Sequence, residues 1–167
     1  MRTRTGDLDR FQAPVPEDYP WQMMRRLTEA SSSTEVLRSA ITCYAELFDC
    51  EREGRSILMA NKDGVYQTYT PFAARHDNLK RINLLMSIPV KTKVEFMAAA
   101  KAMDKYALIR DALAFYRKIV MEAAFERPVM IEDNGKTTPV LFTPLVNVST
   151  IAKRMGLGAK KPDLSPT

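Results

Sequence analysis

The chain carries one order of sequence signals twice, and this repeat constrains its fold more than any single motif. Residues 8–72 and 80–145 correspond at an offset of 71 to 73 residues. The matching positions are Val15-Pro16 with Ile88-Pro89, Val36 to Ile41 with Leu108 to Leu113, Tyr44 with Tyr116, Asp63-Gly64 with Asn134-Gly135, and Thr70-Pro71 with Thr143-Pro144. Because the cues recur in the same order at nearly constant spacing, an internal duplication explains them better than chance.

The second unit shows the clearer pattern of strands and helices. Apolar and polar residues alternate over 81–88, ahead of Pro89, which predicts a strand with one face towards a core. Helical spacing predicts a first helix to about Met103 and a second helix, capped by Asp104, to about Phe125. Asn134-Gly135 then predicts a hairpin whose return strand includes 140–142.

The first unit follows the same plan less regularly. Its strand is predicted at 8–15, with Phe11, Ala13 and Val15 on the core side, although Pro14 cannot donate a ladder hydrogen bond. The remaining predicted elements are a helix over 18–30, a helix from Ser31-Ser32-Ser33 to about Gly54, and a hairpin of 56–60 and 65–69 around Asp63-Gly64.

These elements predict an α+β fold with four segments along the chain. The segments are a first unit at 1–74, a linker at 75–79, a second unit at 80–146 and a basic tail at 147–167. Glycines and prolines towards the end of the tail predict disorder beyond about residue 157. His76, in the polar linker, is interpreted as a solvated loop residue rather than a catalyst.

Several classes of protein are disfavoured by composition. No apolar run approaches the ~20 residues that span a bilayer, and the N-terminus lacks an apolar signal core, so we expect no membrane partner and a cytoplasmic location. Two cysteines and one histidine at these spacings form no metal cluster. Without a Gly-rich phosphate loop or a nucleophile and base pair, we expect no cofactor and no enzymatic activity.

The two cysteines are predicted to lie on one helix. Cys43 and Cys50 are seven residues apart, which places them about 10 Å apart along the axis, too far for a disulfide. Both are interpreted as small core residues, with a redox role as the alternative. Tyr44 and Tyr116 are likewise interpreted as core residues, with a base-stacking role as the alternative.

The charge of the chain is unevenly distributed. The net charge is +5, divided into −2 for residues 1–74 and +7 for residues 75–167. A basic surface is therefore expected mainly on the second unit. Such a surface suits a nucleic acid or another polyanion, although solubility alone also explains many basic proteins.

The order of strand, proline and two helices, with an Ile-Arg-x-Ala-Leu type of second helix, resembles the ribbon-helix-helix family of DNA-binding proteins, the MetJ and Arc type. Each unit matches over roughly 40 residues, and the hairpin is similar to an extension found in small members of the family. Members of that family form intertwined dimers through an antiparallel ribbon. The resemblance therefore implies two tandem units forming an intramolecular pseudo-dimer, similar in architecture to the fused domain of the Agrobacterium T-DNA transfer virulence protein.

The resemblance also implies the site residues. The family inserts the outer face of its ribbon into the DNA major groove, and the start of its second helix holds a phosphate. The base-contacting residues implied here are Arg10, Gln12, Arg81, Asn83, Leu85 and Ser87. The phosphate-binding residues implied are Ser32, Ser33, Lys91, Lys93, Lys105 and Tyr106.

Two outer-face residues depart from this pattern. Pro14 and Leu85 cannot donate to or accept from a base edge. Leu85 either contacts a thymine methyl group or marks a loss of base recognition, and the polar strand residues also fit an ordinary solvent-facing surface. Serines 31 to 33 are equally explained as a helix cap.

Two functions follow, from different classes. The first is a duplex-DNA-binding protein, either a transcriptional repressor or an accessory factor of plasmid maintenance or conjugative DNA processing. Its two different strands imply a non-palindromic site, and the protein is a monomeric pseudo-dimer or a homodimer. The alternative is a protein-interaction module, antitoxin-like, inhibitory or scaffolding, which binds a protein through the ribbon, the hairpins or the acidic first unit.

Overall fold

A computed structural model describes residues 8–70 and 78–157 and shows an α+β protein, 50% helical and 24% strand. Its elements are β1 (Leu8–Pro16), α1 (Trp21–Thr28), α2 (Ser33–Arg52), β2 (Ser56–Ala60), β3 (Tyr66–Thr68), β4 (Leu79–Ser87), α3 (Ile88–Ala100), α4 (Lys105–Ala124), β5 (Val129–Asp133), β6 (Lys136–Val140), a short 3-10 helix (Thr143–Leu145) and α5 (Val148–Arg154). The order strand, helix, helix, strand, strand occurs twice before α5.

The strands form two small antiparallel sheets, and each repeat contributes to both. In the first sheet, which we call the ribbon, β1 pairs with β4 from Leu8 opposite Ser87 to Pro16 opposite Leu79. The second sheet has four strands in the order β3-β2-β5-β6. Its central pair, β2 with β5, again joins the two repeats, with Ile57 opposite Ile131.

Helices α2 and α4 pack on each other and contact both sheets. They contact the ribbon, and each leads at its C-terminal end into a central strand of the four-stranded sheet. Their shared apolar faces contribute Leu37, Ala40, Tyr44, Leu108, Ala112, Phe115 and Tyr116 to one continuous core. Tyr44 and Tyr116 are 1% and 0% exposed, which confirms their interpretation as core residues.

The two hairpin turns and the cysteines are also found where the sequence predicts them. Asn134 and Gly135 between β5 and β6 both have positive φ, 52° and 81°, as a two-residue turn of this type requires. Cys43 and Cys50 are buried in α2 as free thiols. Burial raises the pKa of the Cys43 thiol to about 12, which keeps it protonated and unreactive at neutral pH.

Several element boundaries differ from the predictions: α3 ends at Ala100 rather than about Met103, α1 ends at Thr28 rather than residue 30, and three further differences have a visible cause. Helix α1 begins at Trp21 rather than residue 18, because residues 17–20 turn and the Trp21 indole donates to the Pro16 carbonyl at 3.1 Å. Strand β6 ends at Val140, and Phe142 beyond it is buried instead of pairing in the sheet. Residue 79, predicted as linker, opens β4; the rest of that linker apart from Asn78, including His76, lies outside the described residues.

Helix α5 was not predicted at all, since residues 147–167 are assigned to the tail from sequence. Val148 and Ala152 are fully buried against α1 and α4, which fixes this segment to the core. Lys153 forms an ion pair with Glu126, Nζ to Oε1 at 3.0 Å. The disorder predicted beyond residue 157 concerns residues outside the described ranges. Within residues 8–70 and 78–157 no helix is both long and apolar enough to cross a bilayer.

One buried carboxyl breaks the equivalence of the repeats. Asp111 in α4 corresponds to Ser39 in α2, and it is 5% exposed. Its Oδ1 has no hydrogen-bond partner among the described residues. Burial raises the pKa of Asp111, and the nearby Lys101 and Arg110 only partly oppose this shift. The folded state therefore binds a proton at Asp111 more readily than the unfolded chain does.

Replacing Asp111 with the residue of the other repeat should stabilise the protein. Because its pKa is raised in the folded state, Asp111 costs stability as pH rises above the ordinary aspartate range and costs little below it. We expect Asp111→Ser to raise the free energy of unfolding by about 1 kcal/mol near neutral pH, and by less in acid. Urea denaturation at about pH 7.5 and about pH 4.5 measures the free energy of unfolding, and the difference between the two pH values reports the contribution of the Asp111 charge.

The reciprocal variant is the matched control. Ser39→Asp places a second carboxyl at the equivalent half-buried position and should destabilise the protein near neutral pH. A pH-independent gain in Asp111→Ser would mean that the carboxyl acts through packing rather than through its charge.

Candidate nucleic-acid interface

The ribbon has one buried and one exposed face. The side chains on its inner face, all at most 8% exposed, are Phe11, Ala13, Val15, Ile82, Leu84 and Met86. The outer face presents Arg10, Gln12, Arg81, Asn83 and Leu85 as exposed side chains and Pro14 and Ser87 as half-buried ones. Alternation along each strand thus separates a core-forming face from a mostly polar one.

The register places equivalent residues of the two repeats symmetrically about the centre of the ribbon. Gln12 lies opposite Asn83, and each is the fifth of the nine residues of its strand. Arg10 and Arg81, each the third residue of its strand, lie two residues before the centre of the ribbon. The outer face therefore carries two central amides with an arginine diagonally on each side.

The same register explains the two apolar departures as one feature. Pro14 lies opposite Arg81 and Leu85 lies opposite Arg10. Because Pro14 and Leu85 are each the seventh residue of their strands, each arginine faces one apolar neighbour across the ribbon. The pattern is thus arginine, amide and apolar residue along each strand.

The start of α2 holds the outer edge of β4. The Thr34 hydroxyl donates to the Asn83 carbonyl at 3.4 Å, and the Arg38 guanidinium donates to the Leu85 carbonyl at 3.3 Å. These two carbonyls belong to the strand of the other repeat. Sequence reasoning missed Thr34 and Arg38 as ribbon contacts; the only available signal was that Arg38 recurs as Arg110.

The start of α4 packs in turn on β1. The Tyr106 ring stacks on the Phe11 ring with centroids 5.5 Å apart, and the Lys105 ammonium lies 5.2 Å from the centre of the Phe11 ring. Two residues implied as phosphate contacts therefore also anchor the inner face of the ribbon. Each second helix begins beside the strand contributed by the other repeat.

The N-terminus of α2 is already closed by its own side chains. The Ser32 hydroxyl accepts from the Glu35 amide at 3.1 Å, and the Glu35 carboxylate accepts from the Ser31 amide at 2.6 Å and from the Ser31 hydroxyl at 3.0 Å. These hydrogen bonds from Ser31, the backbone one foremost, lower the pKa of Glu35. Ser32 and half-buried Ser33 thus lie beside a carboxylate, which opposes a phosphate at this end.

The N-terminus of α4 is more open. Asp104 is the N-cap residue, but its side chain makes no capping hydrogen bond, contrary to the role predicted for it. The first turn then carries Lys105 and Tyr106. Of the two helix starts implied as phosphate sites, this one has amides that no side chain caps and a lysine whose charge balances the exposed Asp104 carboxylate, so it is the better suited to an anion.

The two lysines of α3 differ in their surroundings. Lys93 forms an ion pair with Asp49 of α2, Nζ to Oδ1 at 2.6 Å, and its ammonium lies 5.4 Å from the centre of the Phe48 ring. Lys91 is half-buried in the first turn of α3. A phosphate at Lys93 would have to compete with Asp49, a cost that the sequence did not reveal.

An exposed apolar surface adjoins the ribbon. Leu85 on its outer face and Ile88 and Val90 at the start of α3 are 46%, 46% and 36% exposed. Arg38, Met86 and Ser87 join Leu85 and Val90 around a small pocket at this end of the ribbon. The candidate interface is therefore polar at its centre and apolar at one end.

The comparisons with known proteins identify no relative: no protein-family model, no curated protein and no solved structure matches the chain. Among the described residues, no group of three or more His, Cys, Asp and Glu side chains could hold a metal ion. The structure therefore defines the class as an α+β protein with two small antiparallel sheets. Function rests on the geometry of the ribbon and its surroundings.

Removing the aromatic anchor of the ribbon should destabilise the protein. Phe11 is 8% exposed and packs on Tyr106, so Phe11→Ala should lower the free energy of unfolding by about 3 kcal/mol. Gln12→Ala, one residue along the strand on the exposed face, is the control and should change it by less than about 0.5 kcal/mol. Urea denaturation of both variants measures the difference, and equal effects would contradict the assignment of the two faces.

Proposed function

We propose that this chain is a non-enzymatic duplex-DNA-binding protein of the ribbon-helix-helix type, with both halves of the usual dimer in one polypeptide. The observation that carries the proposal is the exposed face of the β1–β4 ribbon, where Gln12 and Asn83 face each other between Arg10 and Arg81. A two-stranded ribbon fits the major groove, and these side-chain types form bidentate contacts with base edges.

The arrangement of elements supports the tandem pseudo-dimer. Each repeat supplies a strand to the ribbon and a second helix whose start contacts the strand of the other repeat. The second sheet follows the same plan, because its central strands β2 and β5 come from different repeats. Such reciprocal exchange is what two intertwined copies of a small dimeric unit produce.

In this proposal the ribbon enters the major groove and the helix starts lie at the flanking backbone. Arginine suits guanine O6 and N7, and an amide side chain suits adenine N6 and N7. The uncapped start of α4, with Lys105, is the principal phosphate contact, because the Glu35 carboxylate opposes a phosphate at α2. This unequal distribution agrees with the charge of +7 on residues 75–167 and −2 on residues 1–74.

The proposed role is a transcriptional repressor or an accessory factor of plasmid or conjugative DNA processing. Both roles require a protein that recognises one duplex among many. Since Pro14 and Leu85 differ and the two helix starts are capped differently, the two ends of the proposed site need not carry the same base sequence. We therefore expect a quasi-symmetric centre with unequal flanks.

Removing the central amides should change sequence preference. If Gln12 and Asn83 contact bases, Gln12→Ala and Asn83→Ala should each alter the preference among duplexes by ~1 to 3 kcal/mol. Fluorescence anisotropy titrations over a set of labelled duplexes, including the upstream region of the chain's own gene, measure this across a salt series. Gln67→Ala is the matched control, since Gln67 is an exposed amide on β3 of the other sheet.

The outcomes of this titration separate the possibilities. A steep dependence on salt with at least ~10³-fold preference for one duplex supports specific recognition. A steep dependence without preference contradicts base contact and leaves a non-specific architectural role. Wild-type protein that binds no duplex at low salt refutes the DNA proposal.

Neutralising the carboxylate at the start of α2 should strengthen binding to every duplex. Glu35→Gln retains an oxygen for the Ser31 amide and removes one negative charge beside the proposed phosphate. We expect affinity to rise about threefold at low salt and the gain to shrink as salt increases. Anisotropy titrations measure it, with Glu132→Gln as control, because Glu132 is an exposed carboxylate on β5.

Equal gains in Glu35→Gln and Glu132→Gln would mean that net charge alone matters. In that case the start of α2 would have no special place in the DNA complex.

A second candidate function, a protein-interaction module, is favoured by the exposed apolar side chains of Leu85, Ile88 and Val90. These side chains lie at one end of the ribbon and would bury apolar area against a protein. Such binding persists at high salt, whereas binding to phosphates does not. Partner association that survives about 1 M salt, with no discrimination among duplexes, would favour this function, because screening at that ionic strength removes surface electrostatics.

A further inference from the structure

A cavity lies beside α4, away from the outer face of the ribbon. Its volume is about 570 Å³, which falls within the range typical of sites for small organic molecules. The buried residues Pro16, Tyr19 and Leu113 form its floor, and Ala114 and Met121 extend the floor along α4. None of the residues implied in DNA contact lines the cavity, so it is independent of the proposed function.

The floor of the cavity is apolar and rigidly held. The Tyr19 hydroxyl donates to the Leu113 carbonyl at 2.8 Å, which leaves the aromatic ring as the surface that Tyr19 offers. Tyr19 also packs on Trp21, with ring centroids 4.7 Å apart. A ligand on this floor would contact a tyrosine ring and aliphatic side chains, so its body should be apolar and of about ring size.

Four cations line the same cavity, against one carboxylate. They are Arg110, Arg117, Lys118 and Arg127, and the carboxylate is Glu122. Glu122 is 2% exposed and accepts from Arg127 twice, Oε1 from Nε at 3.1 Å and Oε2 from Nη2 at 2.8 Å. Lys118 lies 3.6 Å from the same carboxylate. The buried charge is therefore compensated within the protein.

Arg110 and Arg117 form no ion pair with the carboxylate that lines the cavity, and Arg110 acts on the neighbouring Asp111 only by opposing the rise of its pKa. Among the described residues neither forms a hydrogen bond or an ion pair, and both border the apolar floor. They are two turns apart on one face of α4, about 10 Å along the axis at a rise of ~1.5 Å per residue, with Leu113 and Ala114 between them. Two long side chains at this spacing can converge on one anionic group above the floor.

We propose that this cavity binds a small organic anion with an apolar body, of the aromatic carboxylate class. The arginines hold the carboxylate, and Tyr19, Leu113 and Ala114 contact the ring. A nucleotide fits less well, because the one lining carboxylate is occupied by Arg127 and offers no acceptor to a base edge. The proposal does not depend on DNA binding and survives its failure.

The test uses 2-naphthoate as the probe and the full chain as the protein. The intrinsic fluorescence of 2-naphthoate, followed as wild-type protein is added, should show saturable binding with one site per chain. The neutral isostere 2-naphthamide should bind at least about tenfold more weakly, because charge-assisted hydrogen bonds to the arginines are lost. Equal affinity for acid and amide overturns the assignment of the arginines.

Two variants test the charged rim and the apolar floor separately. The double variant Arg110→Gln with Arg117→Gln should weaken 2-naphthoate by about a hundredfold while leaving 2-naphthamide nearly unchanged. Ala114→Phe should fill the cavity and weaken both compounds. The control, Lys62→Gln with Arg154→Gln, removes two exposed cations outside the cavity and should change neither affinity.

Folding of each variant is checked by circular dichroism and urea denaturation, so that loss of binding is not loss of structure. Absence of saturable binding by wild-type protein at millimolar probe overturns the proposal. Equal affinity for 2-naphthoate in the Arg110→Gln, Arg117→Gln variant and in the Lys62→Gln, Arg154→Gln control also overturns it.

Discussion

Pairing of β1 with β4 is the interaction on which the rest of the structure depends. A single strand of nine residues leaves a row of backbone amides and carbonyls without partners on each edge. Pairing satisfies one edge of each strand and gathers the inner apolar side chains into one surface for α2 and α4. The outer edge of β4 is then held by Thr34 and Arg38, and β1 is held through Phe11 and Tyr106. Neither repeat completes its core or its strand edges without the other.

Much of this fold is predictable because its signals are local. Alternation over 81–88 is enough to assign both faces of β4, and Asn134-Gly135 is enough to place a turn with positive φ. The equivalence of Tyr44 and Tyr116 identifies the core faces of α2 and α4. Helix α5 escaped prediction because its basic residues and the neighbouring glycines suggested a tail. Its apolar positions Val148, Ile151, Ala152 and Met155 have helical spacing, but a helix this short is stable only through contacts that sequence does not reveal.

The candidate site was predictable in composition but not in its balance of charges. Strand periodicity alone assigns Arg10, Gln12, Arg81 and Asn83 to an exposed face. The ion pair of Lys93 with Asp49 joins different repeats, and so does the stacking of Tyr106 on Phe11; both require the tertiary fold. The role of Glu35 in capping α2 is predictable from a local motif. Its effect on phosphate binding becomes visible only when this helix start is compared with the start of α4, where no side chain caps the amides. The cavity beside α4 brings together residues from β1, from the turn between β1 and α1, and from α4, which no local pattern connects.

Both strands of the ribbon belong to one polypeptide, and this has a consequence for how such a protein can change. In a dimer of identical chains every substitution is made twice, so a residue that suits one side of the two-fold axis must be tolerated on the other. Here half-buried Ser39 and buried Asp111 occupy equivalent helix positions, and Gln12 and Asn83 occupy equivalent outer positions of the ribbon, with different side chains. Ribbon pairing within one chain also does not weaken on dilution, as pairing between separate subunits does. The two halves are therefore free to specialise independently while remaining a fixed pair at any concentration.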